Sequence, residues 1–150
     1  MFETFYAFST REEYRKVRGR IQEDIQNILG AKQSFLIDVA INEAINNALN
    51  SNIHDQPITI YIRKTVGRRL IIRVKDQGSG FHAQEVLEKI SASHDYLFEE
   101  RLLDESGRGL SIIKSATDRM VYNRTGTELL LMKYIENPEF TEAEVCLKNG

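Results

Sequence analysis

The stretch that most constrains the fold is residues 38–50, which predict one helix with distinct faces. Apolar residues recur there at helical spacing, as expected for a helix that packs on a sheet. These apolar positions are Ile37, Ile41, Ala44, Ile45 and Ala48. A polar stripe with helical spacing consists of Asp38, Asn42, Asn46 and Asn50.

Glu43 and Asn47 belong to neither set. They lie one turn apart, so a carboxylate and a carboxamide would project together from nearly the same side of the helix. Their neighbours on that side, Leu36, Val39 and Ala40, are apolar, which is typical of a helix face that borders a pocket. An ordinary solvated helix face would carry the same pair, so the pair alone leaves both interpretations open.

The rest of the chain predicts an alternation of helices and strands. Alternating apolar and polar residues predict strands at 2–8, 58–63, 70–75, 120–124 and 127–134. Helical spacing predicts helices at 11–29, 34–51 and 109–117. Thr10 with Glu13 would cap the first helix, and Ser34 the second. We therefore expect an α+β fold, a two-layer α/β sandwich in which about five strands form a mixed sheet and three helices cover one face.

A chain of 150 residues with 41% hydrophobic and 28% charged residues has the size and composition of one globular domain. We expect this domain to span 1–150, with a core at about 5–134 and a tail at 135–150 without assigned chemistry. The net charge of −2 and the lack of a dense Lys/Arg cluster argue against direct binding of nucleic acid.

The expected compartment is the cytoplasm. Cys146 is the single cysteine, so neither an intrachain disulfide nor a cysteine-rich metal site is expected. The first residues lack the basic and apolar regions of a signal peptide. No apolar run approaches the roughly 20 residues of a membrane helix, so we expect no membrane partner.

A glycine-rich pattern follows the predicted strand at 70–75, where Asp76 precedes Gly78 and Gly80. Glycines at a strand end allow positive φ angles and a close approach of the backbone to a ligand. Asp76 would be held at the edge of the sheet, where its carboxylate could accept a hydrogen bond from an exocyclic amine. A tight turn after any strand could use the same residues, and both interpretations stay open at this point.

A second glycine pair, Gly107 and Gly109, lies at the start of the helix predicted at 109–117. A glycine-rich helix entry presents free backbone N–H groups and the positive end of the helix dipole, which suit a phosphate. Many helices begin with glycine and bind nothing. The preceding residues 91–106 lack periodicity and mix large apolar with charged side chains, which is typical of a mobile functional loop.

The three patterns follow one another as E-x-x-x-N-A from Glu43, D-x-G-x-G-F from Asp76 and G-x-G-L from Gly107. In this order they resemble the N-box, G1 box and G2 box of the ATP-binding superfamily of gyrases, mismatch-repair ATPases, ninety-kilodalton chaperones and histidine kinases. The resemblance covers nearly the whole chain and implies a Bergerat-type fold. Within the superfamily, residues 42–48 and 105–113 are most similar to the bacterial anti-sigma-factor serine kinases.

The resemblance implies a role for each matching residue. Glu43 would be the general base toward the attacking hydroxyl, and Asn47 would be the ligand of Mg²⁺. Asp76 would accept a hydrogen bond from the adenine amino group of ATP, with Thr127 supporting the adenine pocket. Residues 91–106 would be the ATP lid. The other nucleotide-binding positions would be Gly78, Gly80, Ser106, Gly107, Arg108, Gly109 and Leu110.

The function implied is an ATP-dependent serine/threonine protein kinase that binds a sigma factor and phosphorylates an antagonist protein. Two departures from the family pattern weaken the expectation of transfer more than that of ATP binding. Ser51 stands where related kinases often have a histidine, and Glu105 stands where some have a basic residue. Arg101 or Arg108 could supply the missing positive charge.

Two other functions stay open at the level of sequence. One is a non-catalytic, ATP-gated binding module that kept the nucleotide pocket. The other is the detached catalytic half of a histidine kinase, which we disfavour because no histidine precedes Glu43 and no dimerisation helix pair is predicted. The sequence names neither the sigma factor nor the antagonist, and it leaves the oligomeric state, including a homodimer, open.

Overall fold

The computed structural model describes residues 2–52, 56–77 and 105–136. Its strands are β1 (Phe2–Phe8), β2 (Ile58–Lys64), β3 (Arg69–Lys75), β4 (Arg119–Tyr122) and β5 (Glu128–Tyr134). Its helices are α1 (Arg11–Leu29), α2 (Ala31–Asn50) and α3 (Glu105–Ala116). Every predicted strand is present, and each bound is within two residues of its prediction. Within these ranges no helix is long and apolar enough to cross a membrane.

The described strands form one sheet in the order β1-β2-β3-β5-β4. All of its pairings are antiparallel, so the expectation of a mixed sheet is wrong. For β1 and β2 the reason is the connection between them, where two helices in succession return the chain to the end of the sheet at which β1 finished. β2 therefore begins beside the end of β1, and Phe8 pairs with Ile58.

The start of α1 confirms Thr10 as the cap, and Glu13 bonds back to Ser9, one residue before the cap. Thr10 Oγ1 accepts a hydrogen bond from the N–H of Glu13 at 3.2 Å, and the Glu13 carboxylate accepts one from the N–H of Ser9 at 2.8 Å. These bonds give partners to two amides near the end of the helix that would otherwise lack them.

The junction of α1 and α2 differs from the prediction, because α2 begins at Ala31 and Ser34 does not cap it. Ser34 lies inside the helix, and its hydroxyl donates to the carbonyl oxygen of Ala31 at 3.2 Å. Gly30 alone separates the two helices, and its φ of 82° and ψ of 165° turn the chain. A glycine makes this turn without a capping side chain, which is why the Ser34 signal was misleading.

The hydrophobic core lies between the helices and one face of the sheet. Ile58, Ile60 and Ile62 of β2 are fully buried, whereas the residues between them are partly exposed. The apolar face predicted for α2 is buried, and it comprises Ile37, Ile41, Ala44, Ile45 and Ala48. From α3 the core receives Leu110, Ile113 and Ala116. The expected α+β sandwich of five strands and three helices is confirmed for the described residues.

Candidate functional site

α2 and α3 meet at Gly109, beside the predicted pair Glu43 and Asn47. A Cβ atom at position 109 would lie 3.1 Å from Glu43 Oε2 and 3.5 Å from Asn47 Nδ2. The first distance is shorter than an ordinary van der Waals contact, so any side chain at this position would push on the carboxylate. Gly109 therefore lets α3 approach α2 at the turn that carries the carboxylate and the carboxamide.

A cavity of about 510 Å³ opens at this meeting point. Residues from all three helices line it, and these are Arg11, Glu43, Asn46, Asn47, Asn50, Gly109 and Ile112. Its volume lies in the range of small-ligand sites. Because its described lining is mostly charged or carboxamide side chains, the cavity suits a polar ligand.

The polar stripe of α2 faces α1. The Arg11 guanidinium donates from Nη1 to Asn46 Oδ1 at 3.0 Å and from Nη2 to Asn50 Oδ1 at 2.5 Å. Further along, the Tyr14 hydroxyl donates to Asn42 Oδ1 at 3.2 Å. The stripe therefore joins the two helices and brings a cationic side chain from α1 to the cavity.

A narrow second cleft shares Asn47 with this cavity and brings Asp76 and Thr127 together. The Asp76 N–H donates to the Thr127 carbonyl oxygen at 2.8 Å, and the Asp76 residue is only 7% exposed. The other lining residues are Ala44, Ala48, Ser51, Val74, Tyr122, Gly126 and Leu129. The cleft measures about 10 Å³, which is room for one water, so a planar base enters only when the cleft widens.

Tyr122 places a phenol in this narrow cleft. Burial raises the pKa of Tyr122; the neighbouring Asn47 carboxamide lowers it, and the Asp76 carboxylate raises it further. The net effect is a pKa above the usual value, so the hydroxyl stays protonated at neutral pH. Tyr122 therefore acts as a neutral hydrogen-bonding group next to Asn47 and Asp76.

Asn47 is the residue common to both spaces. Its carboxamide lies near enough to Tyr122 to lower the pKa of that phenol, but its buried Nδ2 atom makes no hydrogen bond of ordinary geometry with the described residues. Such a group costs free energy unless a bound molecule satisfies it, because a buried donor has lost its water. The two spaces therefore adjoin at Asn47, with Asp76 in the narrow cleft and Glu43 and Arg11 in the wide cavity.

Residues 8–133 match a family model described as the histidine kinase-like ATPase domain, which accounts for most of the chain. The chain belongs to the histidine kinase-like ATPase family. No curated protein matches it. Membership identifies an ATP-binding domain.

In this ATP-binding domain, the fold brings the described motif residues together in two groups. Glu43, Asn47 and Gly109 meet where α3 approaches α2. Asp76 and Thr127 meet in the narrow cleft. The individual roles implied for these residues stay predictions, but their proximity across the sequence is a property of the fold.

The glycine-rich segment is placed differently from the prediction. α3 begins at Glu105, so Ser106, Gly107 and Arg108 belong to its first turn. Amides in a first turn lack partners within the helix and could face a phosphate, whereas the amide of Gly109 lies where helical bonding has begun. Gly109 therefore contributes space between the helices instead of a free N–H group.

Of the other motif residues, the structure describes Leu110, which lines neither space. Leu110 has a fully buried side chain within the core, where it fixes α3 on the sheet. Gly78, Gly80 and the lid expected at 91–106, apart from its last two residues, lie outside the described ranges. Their contacts with ATP stay predictions.

The sequence analysis missed Arg11 and Tyr122 as residues of the site. For Arg11 the sequence carried no signal, since its partners Asn46 and Asn50 lie far along the chain. For Tyr122 a signal existed, because the predicted final hairpin pairs it with Leu129, close to Thr127.

Proposed function

We propose that this ATP-binding domain is a serine/threonine protein kinase of the anti-sigma type, which transfers the γ-phosphoryl group of ATP to a hydroxyl of a partner protein. The observation that carries the proposal is the pair Glu43 and Asn47 on one turn of α2, packed against Gly109 of α3. Both side chains border a polar cavity of about 510 Å³. A potential proton acceptor and a potential metal ligand thus lie side by side in the wall of this cavity.

Phosphoryl transfer requires positioning, charge stabilisation and one group that accepts a proton. Glu43 would accept the proton of the acceptor hydroxyl while the hydroxyl oxygen forms its bond to the γ-phosphorus. The bond from that phosphorus to the bridging oxygen breaks, and ADP leaves with the electron pair. The proposal thus assigns proton transfer to Glu43.

Asn47 would hold Mg²⁺ through its carboxamide oxygen, and the ion would neutralise charge on the phosphate oxygens. The residues fit this role. Asn47 borders the cavity, and its neutral carboxamide supplies the kind of oxygen donor that Mg²⁺ binds. In the same part of the chain, no group of His, Cys, Asp and Glu could hold a metal ion alone. A single protein oxygen suits Mg²⁺, which retains waters and binds substrate phosphates.

Asp76 would recognise the adenine. Its carboxylate is buried at the end of β3, where Val74 and Leu129, which are cross-strand neighbours on one face of the sheet, would form an apolar floor beneath a flat ring. Thr127 would line the same pocket. Because the cleft is narrow, binding of adenine would be accompanied by a local widening between α2 and the paired strands β3 and β5.

The proposed partners are a sigma factor, which is bound without being modified, and an antagonist protein that accepts the phosphoryl group. Support for this pair of partners comes from the sequence of residues 42–48 and 105–113, which resembles anti-sigma-factor kinases. Transfer of the phosphoryl group to a hydroxyl of a second protein would therefore distinguish this domain from other ATP-binding domains.

The deciding experiment incubates labelled ATP and Mg²⁺ with the full chain and candidate antagonist domains. Glu43→Ala should keep ATP affinity within a few-fold while slowing transfer by roughly 10² to 10⁴. Glu12→Ala, which removes an exposed carboxylate of α1, is the matched control and should transfer like wild type. Asn47→Ala should weaken Mg²⁺-dependent binding and transfer together.

Acid treatment of the labelled protein separates the kinase classes, because phosphoserine survives acid and phosphohistidine does not. Acid-stable label that disappears in Glu43→Ala supports the proposal. Acid-labile label would point to histidine kinase chemistry. Wild-type protein that binds ATP and captures a protein partner but labels nothing would be an ATP-gated binding module.

A further inference from the structure

Arg11 is the cationic side chain in the described lining of the cavity that holds Glu43 and Asn47. Its Nη1 and Nη2 atoms donate to Asn46 Oδ1 at 3.0 Å and to Asn50 Oδ1 at 2.5 Å. The two acceptors lie one turn apart on α2. Two bonds from different nitrogens fix both the position and the plane of the guanidinium.

The two anchors of Arg11 are electrically neutral. Carboxamide oxygens accept hydrogen bonds without a net charge, so Asn46 and Asn50 hold the guanidinium without neutralising it. The Glu43 carboxylate lines the same cavity but forms no ion pair with Arg11. A guanidinium has five N–H groups, so the two bonds leave donors for a further acceptor. Any acceptor that enters the cavity meets a positioned cation.

Joining α1 to α2 does not require this charge. Tyr14 makes the same kind of link to the same stripe of α2, donating from a neutral hydroxyl to Asn42 Oδ1 at 3.2 Å. Tyr14 lies further from the cavity, whereas Arg11 lies at its wall with Glu43. The charge is therefore located where a ligand would meet it.

We propose that Arg11 binds the γ-phosphate of ATP and makes the domain favour the triphosphate over the diphosphate. This inference rests on the proposed function, because it requires the phosphates of the nucleotide to extend into the cavity beside Glu43 and Asn47. The guanidinium presents N–H groups as a planar fork that matches two oxygens of one phosphate. ADP lacks the phosphate group that would reach this fork.

The test is calorimetric titration of the full chain with ATP and with ADP in the presence of Mg²⁺. Arg11→Gln removes the charge but keeps a polar donor, and it should lower ATP affinity about tenfold while ADP affinity changes less than about twofold. Arg15→Gln, one turn further along α1 and exposed, makes the same change in net charge and should alter neither affinity. Arg11→Lys keeps the charge without the fork and should retain part of the preference for ATP.

The outcomes separate this inference from the proposed function. Equal losses of ATP and ADP affinity in Arg11→Gln, with a lower melting temperature, would show a purely structural link between helices and overturn the inference. Unchanged ATP affinity would overturn it as well, whether or not wild type transfers phosphate. If wild type binds ATP but transfers no phosphoryl group, the proposed kinase function is wrong. The ratio of ATP to ADP affinity in wild type and in Arg11→Gln then still decides the role of Arg11. Wild type that binds neither nucleotide overturns both.

Discussion

Glu43 and Gly109 are so close that the hydrogen of Gly109 is the only side chain the site accommodates without displacement. A Cβ atom at 109 would lie 3.1 Å from Glu43 Oε2. The end of a glutamate is flexible, so the carboxylate would move aside and the helices would stay in place. A substitution at position 109 of α3 would therefore displace the Glu43 carboxylate, to which we assign proton transfer.

Gly109→Ala should slow phosphoryl transfer by about tenfold or more while leaving ADP affinity within a few-fold, because it misplaces Glu43 without touching Asp76. The matched control is Gly19→Ala in α1, where an added Cβ would meet nothing within 4 Å. The control should transfer normally and gain about 0.5 to 1 kcal/mol of stability from helix propensity. Transfer and thermal unfolding of both variants check this, and normal transfer by Gly109→Ala would refute the link.

Asp76→Asn should weaken ATP and ADP binding equally, by about 2 to 3 kcal/mol, because an amide can present a donor to the adenine amine where the carboxylate accepts. Asp76 is only 7% exposed, so water cannot readily replace the lost acceptor. Titration with each nucleotide measures the effect, and Glu12→Gln serves as the control for loss of a carboxylate. If only ATP affinity falls, Asp76 acts on the phosphates and the adenine assignment is wrong.

Asp38 should make the stability of the fold depend on pH. Burial raises the pKa of Asp38 from 3.8 to about 6, and the charge of Arg18 opposes this shift. Its Oδ1 is buried without a hydrogen-bond partner among the described residues. The folded chain therefore holds this proton more tightly than the unfolded chain, so the stability that Asp38 contributes is complete below pH 3.8 and is lost as the pH rises through about 6.

Asp38→Asn should remove this loss of stability at higher pH. At about pH 7.5 the variant should be more stable than wild type by about 1 kcal/mol, a value reduced for the solvent that reaches the half-buried side chain. Near pH 4 the difference should be much smaller, because Asp38 is then largely protonated in the folded state. Urea unfolding at the two pH values measures both differences, and an equal difference at both would exclude the carboxylate as the cause.

The sequence predicts those parts of the site that lie within one element or beside a motif. Glu43 and Asn47 share a helix face because of helical periodicity, which is local. The sequence predicts Asp76 at the end of β3 because the strand-like pattern of residues 70–75 stops there. The meeting of Asp76 with Thr127 requires that β5 pairs with β3. The family resemblance implied that Thr127 supports the adenine pocket, but the sequence analysis did not predict this pairing.

The other parts of the site depend on contacts between residues far apart in the sequence, which no local sequence pattern predicts. Arg11 reaches the cavity only because α1 and α2 run antiparallel, which brings residues far apart in sequence side by side. The antiparallel pairing of β1 with β2 likewise follows from the α1–α2 hairpin and not from any property of a single strand. The role of Gly109 as a spacer appears only when α3 is placed against α2.

The α1–α2 hairpin turns on Gly30, whose φ of 82° and ψ of 165° fall in a region that is essentially restricted to glycine. Its N–H donates to the Gln26 carbonyl oxygen at 2.7 Å, and its own carbonyl oxygen accepts from the N–H of Ser34 at 3.1 Å, so the residue ends one helix and starts the next. An added Cβ would meet nothing within 4 Å. Any cost of substitution is therefore conformational and not steric crowding by neighbours.

Gly30→Ala should lower the stability of the fold by about 1 to 3 kcal/mol, and Gly30→Asn should be nearly as costly, because asparagine tolerates the left-handed helical region but not this one. Gly19→Ala, which also meets no neighbour, should instead raise stability, so the two Gly→Ala changes should have opposite signs. Thermal unfolding would show the difference as a shift of about 2 to 4 °C for each kcal/mol. If Gly30→Asn unfolds at the wild-type temperature, the backbone at the junction is an ordinary left-handed cap, and the turn that brings Arg11 to the cavity does not depend on glycine.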